Sequence, residues 1–288
     1  MAERPGPVLV TGANSGIGLA AVMRFAERGW QTWGTVRSQD KADELARAAQ
    51  DAGHAERVRP LVLDVSDHDA VVAAWPELPP FYGVVNNAGY SEMGAIEEVT
   101  AAEAKRQLDV NLIAPAVVSA CALPAMRQRG DGRIVMVSSM FGRAAVAPLN
   151  GWYHASKFGL EGLSDVLRME VAGFGVRVSI VEPGVFRTNI DAKTNEKVSV
   201  LAGREDSPYR TAYERMQQAN DAMRFAPPAD IVARVLVTAV ESRRPLDRYL
   251  VGADAVALAA AERFVPRPVM DAAARLFSGL GGRPETYF

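Results

Sequence analysis

The chain has 288 residues, 49% apolar and 23% charged, and a net charge of −2. That is enough for one large globular domain, and no basic run suits nucleic acid or an anionic membrane. A single cysteine, Cys121, excludes an intrachain disulfide and fits a reducing compartment; His54, His68 and His154 lack metal-ligand spacing, so no metal site is expected. No apolar stretch reaches the ~20 residues that span a bilayer, and the N-terminus lacks the apolar part of a signal peptide. A cytoplasmic protein without a membrane span is expected.

Residues 7–11 read as a short buried strand that runs into Gly12-Ala-Asn14-Ser15-Gly16-Ile17-Gly18, followed by a helical pattern over 19–28 that stops at Gly29. In this context Gly12 allows a tight turn, Gly16 lets backbone approach a phosphate, and Gly18 permits close helix–strand packing. The helix N-terminus offers N–H groups and a positive dipole end to a pyrophosphate, so Asn14, Ser15 and Ile17 join the glycines as candidate dinucleotide contacts. The spacing, Gly-x-x-x-Gly-x-Gly, departs from the usual Gly-x-Gly-x-x-Gly, and a plain glycine turn is the alternative. A second strand, 31–36, ends at Val36 and Arg37 rather than at an acid. A carboxylate there suits the ribose hydroxyls of NAD and an arginine suits a 2′-phosphate, so NADP(H) is expected over NAD(H). Arg37 as an ordinary surface residue is the other reading. After a third strand, 58–63, Asp64 and Val65 either meet the adenine or lead into the next helix, since Ser66 and Asp67 follow.

Further strand-like runs lie at 82–86, 133–138, 176–181 and 248–252, with helical patterns between most of them. This alternation predicts an α/β fold: one doubly wound Rossmann-type domain over 1–288, with a seven-stranded parallel sheet and helices on both faces. Residues 185–228 break the rhythm after a strand's carboxyl end, where a substrate lid is expected. The stretch 253–288 reads as a C-terminal extension, helical over 253–264 and 268–277, for packing or subunit contact.

Tyr153-His-Ala-Ser-Lys157 places a phenol and an ammonium at i and i+4 on one helix face. A tyrosine titrates near ~10, and a neighbouring cation stabilises its phenolate. The same pattern also suits a solvated helix face. His154 points about 100° away around the ~3.6-residue helical period and is read as structural.

Taken together, Thr11-Gly12-(three)-Gly16-Ile17-Gly18, Asn86-Asn87-Ala88-Gly89, Asn111, Ser138-Ser139, Tyr153-(three)-Lys157 and Pro183-Gly184-(three)-Thr188 make the chain similar to the short-chain dehydrogenase/reductase family over about residues 7 to 190. The segment Trp33 to Arg37 further resembles the NADP-preferring hydroxysteroid and retinol dehydrogenase branch. The resemblance implies that Tyr153 is the general acid or base, that Lys157 lowers its pKa and holds the nicotinamide ribose, and that Ser139 donates to the developing alkoxide. It also implies that Asn111 anchors a water relaying protons to Lys157. Asn87, Ala88 and Gly89 would pass behind the adenosine ribose, and Pro183, Gly184 and Thr188 would bracket the nicotinamide amide. Each has a plainer reading: Ser138 and Ser139 as a strand end, Asn111 as a partner for backbone at a kink beside Pro115, Pro183-Gly184 as a turn. Ser139 lies fourteen residues before Tyr153, one more than in many relatives.

The expected activity is interconversion of a secondary alcohol and a ketone, or the corresponding reaction of an aldehyde, with an apolar substrate expected from the pocket residues. Met140, Phe141, Trp152 and Phe186 are the expected apolar pocket residues. The alternatives are a silent cofactor-binding regulatory or scaffold protein on the same fold, and an epimerase or dehydratase, whose extended relatives carry a different glycine loop. A homodimer or homotetramer through helices near 103–128 and 152–172 is implied by the resemblance; the stripe Leu160, Leu163, Leu167 and Val171 serves the core in any case.

Overall fold

The computed structural model describes residues 5–187, 191–204, 206–222 and 225–280. Seven strands form one sheet: β1 (Val8–Val10), β2 (Thr32–Val36), β3 (Val58–Val62), β4 (Gly83–Asn86), β5 (Gly132–Val137), β6 (Val176–Pro183) and β7 (Arg248–Val251). Their order is β3-β2-β1-β4-β5-β6-β7, and every pairing is parallel. The chain thus winds outward from β1 in one direction and from β4 in the other. A crevice opens between these two strands at their carboxyl ends, where ligands of such sheets bind.

The sequence dictates this arrangement through burial. β1, β4 and β5 are buried along their whole length, as strands covered on both faces must be. The outermost strands β3 and β7 are only partly buried. Alternation along each strand sends Val8 and Val10 to one face and Leu9 to the other. On the first face pack α1 (Gly16–Glu27), α2 (Gln39–Asp51) and α9 (Asp230–Glu241), through Val22, Phe25, Leu45, Leu236 and Val240. On the second lie α3 (His68–Ala74), α5 (Ala114–Arg129) and α6 (Gly151–Val171), through Val71, Val118, Met126 and Leu160. Fully burying one such side chain contributes roughly 1.5–3 kcal/mol. The stripe on α6 serves this core: Leu160 and Val171 are buried in it, and Leu163 and Leu167 pack against it.

α4 (Ala101–Leu108) starts at a capping box formed by Thr100 and Glu103. It continues through a π-helical turn, Asp109–Ile113, into α5. Pro115 has no N–H, so the ordinary helical bond to the Asn111 carbonyl cannot form, and the wider turn follows. Contrary to the expectation from apolar run lengths, the joined helix Ala101–Arg129 is long and apolar enough to cross a bilayer by length and composition. Its Ala114, Val118, Ala122 and Met126 are buried against the sheet.

The stretch expected as a lid carries α7 (Asp191–Ala202) and α8 (Arg210–Ala222), which pack on one another and on the loop after β4. Tyr213 is fully buried there; its hydroxyl donates to Glu98 Oε2 at 2.5 Å and accepts from Ala95 N at 2.8 Å. The extension forms α10 (Ala253–Phe264) and α11 (Arg267–Ser278).

Candidate active site

The nucleotide end is shaped by backbone. Gly12 (φ +66°) and Gly16 (φ +53°) occupy the left-handed region that favours glycine. A Cβ on Gly18 would stand 2.1 Å from the Gly12 carbonyl oxygen and 2.6 Å from Asn87 Nδ2, so only glycine lets α1 close on β1. The Thr11 hydroxyl accepts from the Asn87 and Ala88 N–H groups, both at 2.9 Å. Asn87 Nδ2 returns a bond to the Thr11 carbonyl at 2.9 Å, and the Gly12 N–H donates to Thr35 Oγ1 at 3.2 Å. Asn14, Ser15 and Ile17 lie half-buried along the loop. Ser15 caps α1 by backbone alone and no acid occupies the first turn, so no carboxylate competes for the positive helix end. This cradle fits the pyrophosphate of a dinucleotide.

At the adenosine side Arg37 is exposed just past β2. Val65 is buried, and Asp64 Oδ1 accepts from the Ser66 N–H at 2.9 Å and its hydroxyl at 2.8 Å, while Asp67 provides the N-cap of α3. Tyr90, following Gly89, was not singled out by any motif. Burial raises its phenol pKa; Arg106, hydrogen-bonded to it, and the more distant Arg37 oppose the rise.

The catalytic end gathers Ser139, Tyr153 and Lys157 at the carboxyl edge of β5. Ser139 caps a short 3-10 turn, Met140–Gly142, with Oγ accepting from the Phe141 N–H at 3.2 Å. Its hydroxyl also lies near enough to the Tyr153 phenol to lower the phenol pKa. Lys157 is 4% exposed; its Nζ donates to the Val137 carbonyl at 2.9 Å and lies 5.6 Å from the Tyr153 ring centre. Desolvation pushes its pKa from 10.5 down to about 8, with Glu161 opposing. The Tyr153 pKa moves upward, because burial of the phenol outweighs the influence of Ser139. This differs from the expected lowering by Lys157: the ammonium is directed at Val137 O.

Asn111 sits in the π turn, fully buried. Its Oδ1 accepts from the Tyr90 N–H at 3.0 Å, and its Nδ2 donates to the Tyr90 carbonyl at 2.8 Å and to Ser156 Oγ at 3.1 Å. The side chain is therefore a clamp on the segment after Gly89, and the carbonyl freed by Pro115 is its group for any water. A Cβ on Gly89 would stand 3.2 Å from Asn111 Oδ1 and 3.6 Å from Lys157 Nζ, so the three residues converge.

Pro183 and Gly184 close β6. A Cβ on Gly184 would meet Asp254 Oδ1 at 2.1 Å, and the Val185 N–H donates to Asp254 Oδ2 at 2.6 Å. Thr188 lies outside the described residues. Of the expected pocket residues, Phe141 meets the Tyr153 ring edge-on at 6.5 Å, Met140 is buried beside Ser139, and Trp152 is half-buried before Tyr153. Phe186 is 7% exposed and packs in the core cluster that includes Val251 and Leu236. His154 is buried, with Nδ1 2.9 Å from the Phe141 carbonyl and Nε2 accepting from the Ala147 N–H at 3.3 Å. It thus staples both ends of the loop between Ser139 and Tyr153. That loop also contains Leu149, at φ +63° the one non-glycine in the left-handed region among the described residues.

A family model for the short chain dehydrogenases matches residues 7–199. The chain belongs to this family. Human retinol dehydrogenase 5 is 33% identical to this short-chain dehydrogenase over 282 residues, covering 92% of the chain and 86% of the relative. A solved short-chain dehydrogenase from Streptomyces avermitilis superposes with a TM-score of 0.76 at 29% identity, covering 98% of this chain and 100% of that one. A metagenomic short-chain oxidoreductase solved in complex with NADP gives 0.66 at 25% identity, covering 86% and 96%. The chain is accordingly an oxidoreductase of the NAD(P)-binding Rossmann type, as the motifs implied.

Proposed function

We propose that this short-chain dehydrogenase interconverts an apolar secondary alcohol and its ketone, using NADP(H) in preference to NAD(H). The observation that carries the reading is the convergence of Ser139, Tyr153 and the buried ammonium of Lys157, whose Nζ lies 5.6 Å from the Tyr153 ring centre. When bound, the cofactor supplies or accepts the hydride. Gly12, Gly16, Gly18, Asn14, Ser15 and Ile17 would hold its pyrophosphate, and Arg37 the 2′-phosphate. Asp64 and Val65 would border the adenine, and Asn87, Ala88 and Gly89 the adenosine ribose. Lys157 would hold the nicotinamide ribose, and Pro183, Gly184 and Thr188 the carboxamide.

The protein's part is acid–base work. Burial pushes the Tyr153 pKa upward, which favours the protonated phenol that can donate to a carbonyl oxygen. The Ser139 hydroxyl, already at the phenol, would donate a second hydrogen bond to that oxygen as negative charge develops. Lys157 would stabilise the phenolate that remains, and its own pKa of about 8 lets it pass a proton onward near neutrality. In the reverse direction Tyr153 accepts the alcohol proton. The apolar substrate is supported by Met140, Phe141 and Trp152 around the pair and by the retinol dehydrogenase among the relatives.

A homodimer or homotetramer is proposed with this reading, supported by Phe158, Val166 and Met169 left exposed on α6. The testing experiment titrates NADPH and NADH into wild type and Arg37→Asp, then follows NADPH consumption with a series of apolar ketones. Expected are at least tenfold tighter NADPH binding, ~1.4 kcal/mol, lost in the variant, and turnover that Tyr153→Phe abolishes. Tighter NADH binding overturns the cofactor preference; no turnover of any ketone overturns the activity.

A further inference from the structure

Behind the catalytic pair lies a buried ionic network that none of the family motifs contains. Glu182, the residue before Pro183, is completely buried. Its Oε2 accepts from Arg143 Nε at 2.5 Å, and its Oε1 pairs with Arg248 Nε at 3.2 Å. Arg143 directly follows the turn Met140–Gly142 that Ser139 caps. Arg248, on β7, also holds Glu161 at 3.1 Å and Asp165 at 2.7 Å, both on α6. Glu161 is one helical turn beyond Lys157. The turn itself is pressed onto this assembly, since a Cβ on Gly142 would lie 2.6 Å from Ser138 Oγ, 3.1 Å from Glu161 Cγ and 3.2 Å from the Lys157 carbonyl. One carboxylate thus joins the Ser139 turn, the strand leading to Gly184 and, through Arg248, the helix carrying Tyr153 and Lys157. A lone buried carboxylate is costly; the hydrogen bond from Arg143 and the ion pair with Arg248 offset that cost.

We propose that Glu182 is a positioning residue: by bridging Arg143 and Arg248 it fixes Ser139 relative to Tyr153 and to the Pro183–Val185 turn. The inference rests on the dehydrogenase reading above for its catalytic consequence, but not for its structural one. Glu182→Gln keeps the volume and removes the charge. Arg143→Gln, at a side chain 33% exposed, leaves Glu182 paired with Arg248 and spares the fold should the first variant be unstable.

The first measurement is amide hydrogen exchange in the cofactor-free protein. Reporter amides are those of Gly142, bonded to Ser139 O, of Arg143, bonded to Met140 O, and of Gly184, bonded to Val251 O. In both variants exchange is expected to quicken about tenfold over 138–147 and 183–187 and to stay unchanged over 7–36, as local opening requires. In the loaded enzyme kcat is expected to fall about tenfold to a hundredfold, the loss a displaced catalytic group brings, with NADPH affinity within about threefold. The double variant is expected to lose no more than the worse single one. Exchange that rises equally everywhere, or not at all, overturns the proposal, as do kcat losses that simply add. If wild type turns over no ketone, the dehydrogenase reading fails while the exchange result still decides whether Glu182 positions the turn.

Discussion

The two ends of the cleft are built from different materials. At the nucleotide end the chain backbone does the shaping: three glycines, a helix N-terminus, and the Thr11, Thr35 and Asn87 side chains bonded to main chain. At the catalytic end the side chains shape one another, through Ser139 on Tyr153, His154 on its loop, Asn111 on the Tyr90 backbone, and Glu182 between two arginines. A backbone-built site tolerates no added atom but is indifferent to protonation. A side-chain-built site accommodates small changes of volume and depends on charge.

The largest effect expected from that contrast comes from adding one methyl group to each end. Gly18→Ala forces a Cβ against the Gly12 carbonyl oxygen at 2.1 Å, a backbone atom of the loop itself, and against the Asn87 side-chain amide at 2.6 Å. It is expected to weaken NADPH binding more than about a hundredfold, ~2.7 kcal/mol by titration, and to lower the melting temperature. Gly142→Ala meets Ser138 Oγ at 2.6 Å and the Glu161 side chain at 3.1 Å, side-chain atoms that can shift, and the Lys157 carbonyl less closely at 3.2 Å. It is expected to leave NADPH affinity within about threefold and to reduce kcat about tenfold by displacing Ser139. Equal losses of binding in both variants would dissolve the contrast.

The same division decides what was legible in the sequence. The glycine loop leaves its requirement in the chain as glycine itself, at positions where any other residue clashes, so it reads directly. The parallel sheet reads as easily, because strands such as Val84-Val85 and Ile134 to Val137 are buried on both faces and must be apolar throughout. Tyr153 and Lys157 read because one helix carries both. Arg143 and Glu182 are 39 residues apart and meet only when the sheet has formed. Nothing local in either marks the other. Phe186 shows the same limit: an aromatic after a cofactor turn reads as pocket lining, and its packing in the core, next to a turn bonded to Asp254 from far along the chain, leaves no local mark. The π turn at Asn111 left one trace, Pro115, whose missing N–H disturbs the helix four residues upstream.

A second way to sharpen the contrast is to remove the charge on which the catalytic end depends. Unfolded, Lys157 holds its proton up to about pH 10.5; folded, only to about 8. Its burial is therefore a stability cost of about 3 kcal/mol below pH 8 that shrinks as pH rises from 8 towards 10.5. Lys157→Met is expected to abolish turnover and yet to raise the melting temperature at pH 7 by roughly 2–8 °C, the range for about 1–2 kcal/mol in a domain of this size. An unchanged or lower melting temperature would mean that the bond to Val137 O outweighs the desolvation.

The smallest effect concerns His154, and it has the opposite dependence on pH. Burial is the main cause holding its pKa below the ordinary 6.5, the nearby Arg267 guanidinium adding to this, while the contact to the Phe141 carbonyl opposes it. The neutral ring accepts from the Ala147 N–H through Nε2, a bond that protonation removes. As pH falls below 6.5 the unfolded chain takes up a proton that the folded one resists, so stability is lost on the acid side and is fully present above it. His154→Gln keeps a donor and an acceptor without titrating. Thermal melts between about pH 7 and 5 are expected to show wild type losing more melting temperature than the variant, the difference vanishing above pH 7. Parallel acid slopes in the two proteins would mean that the Ser139–Tyr153 loop is held by its packing, with the histidine bonds contributing nothing to its stability.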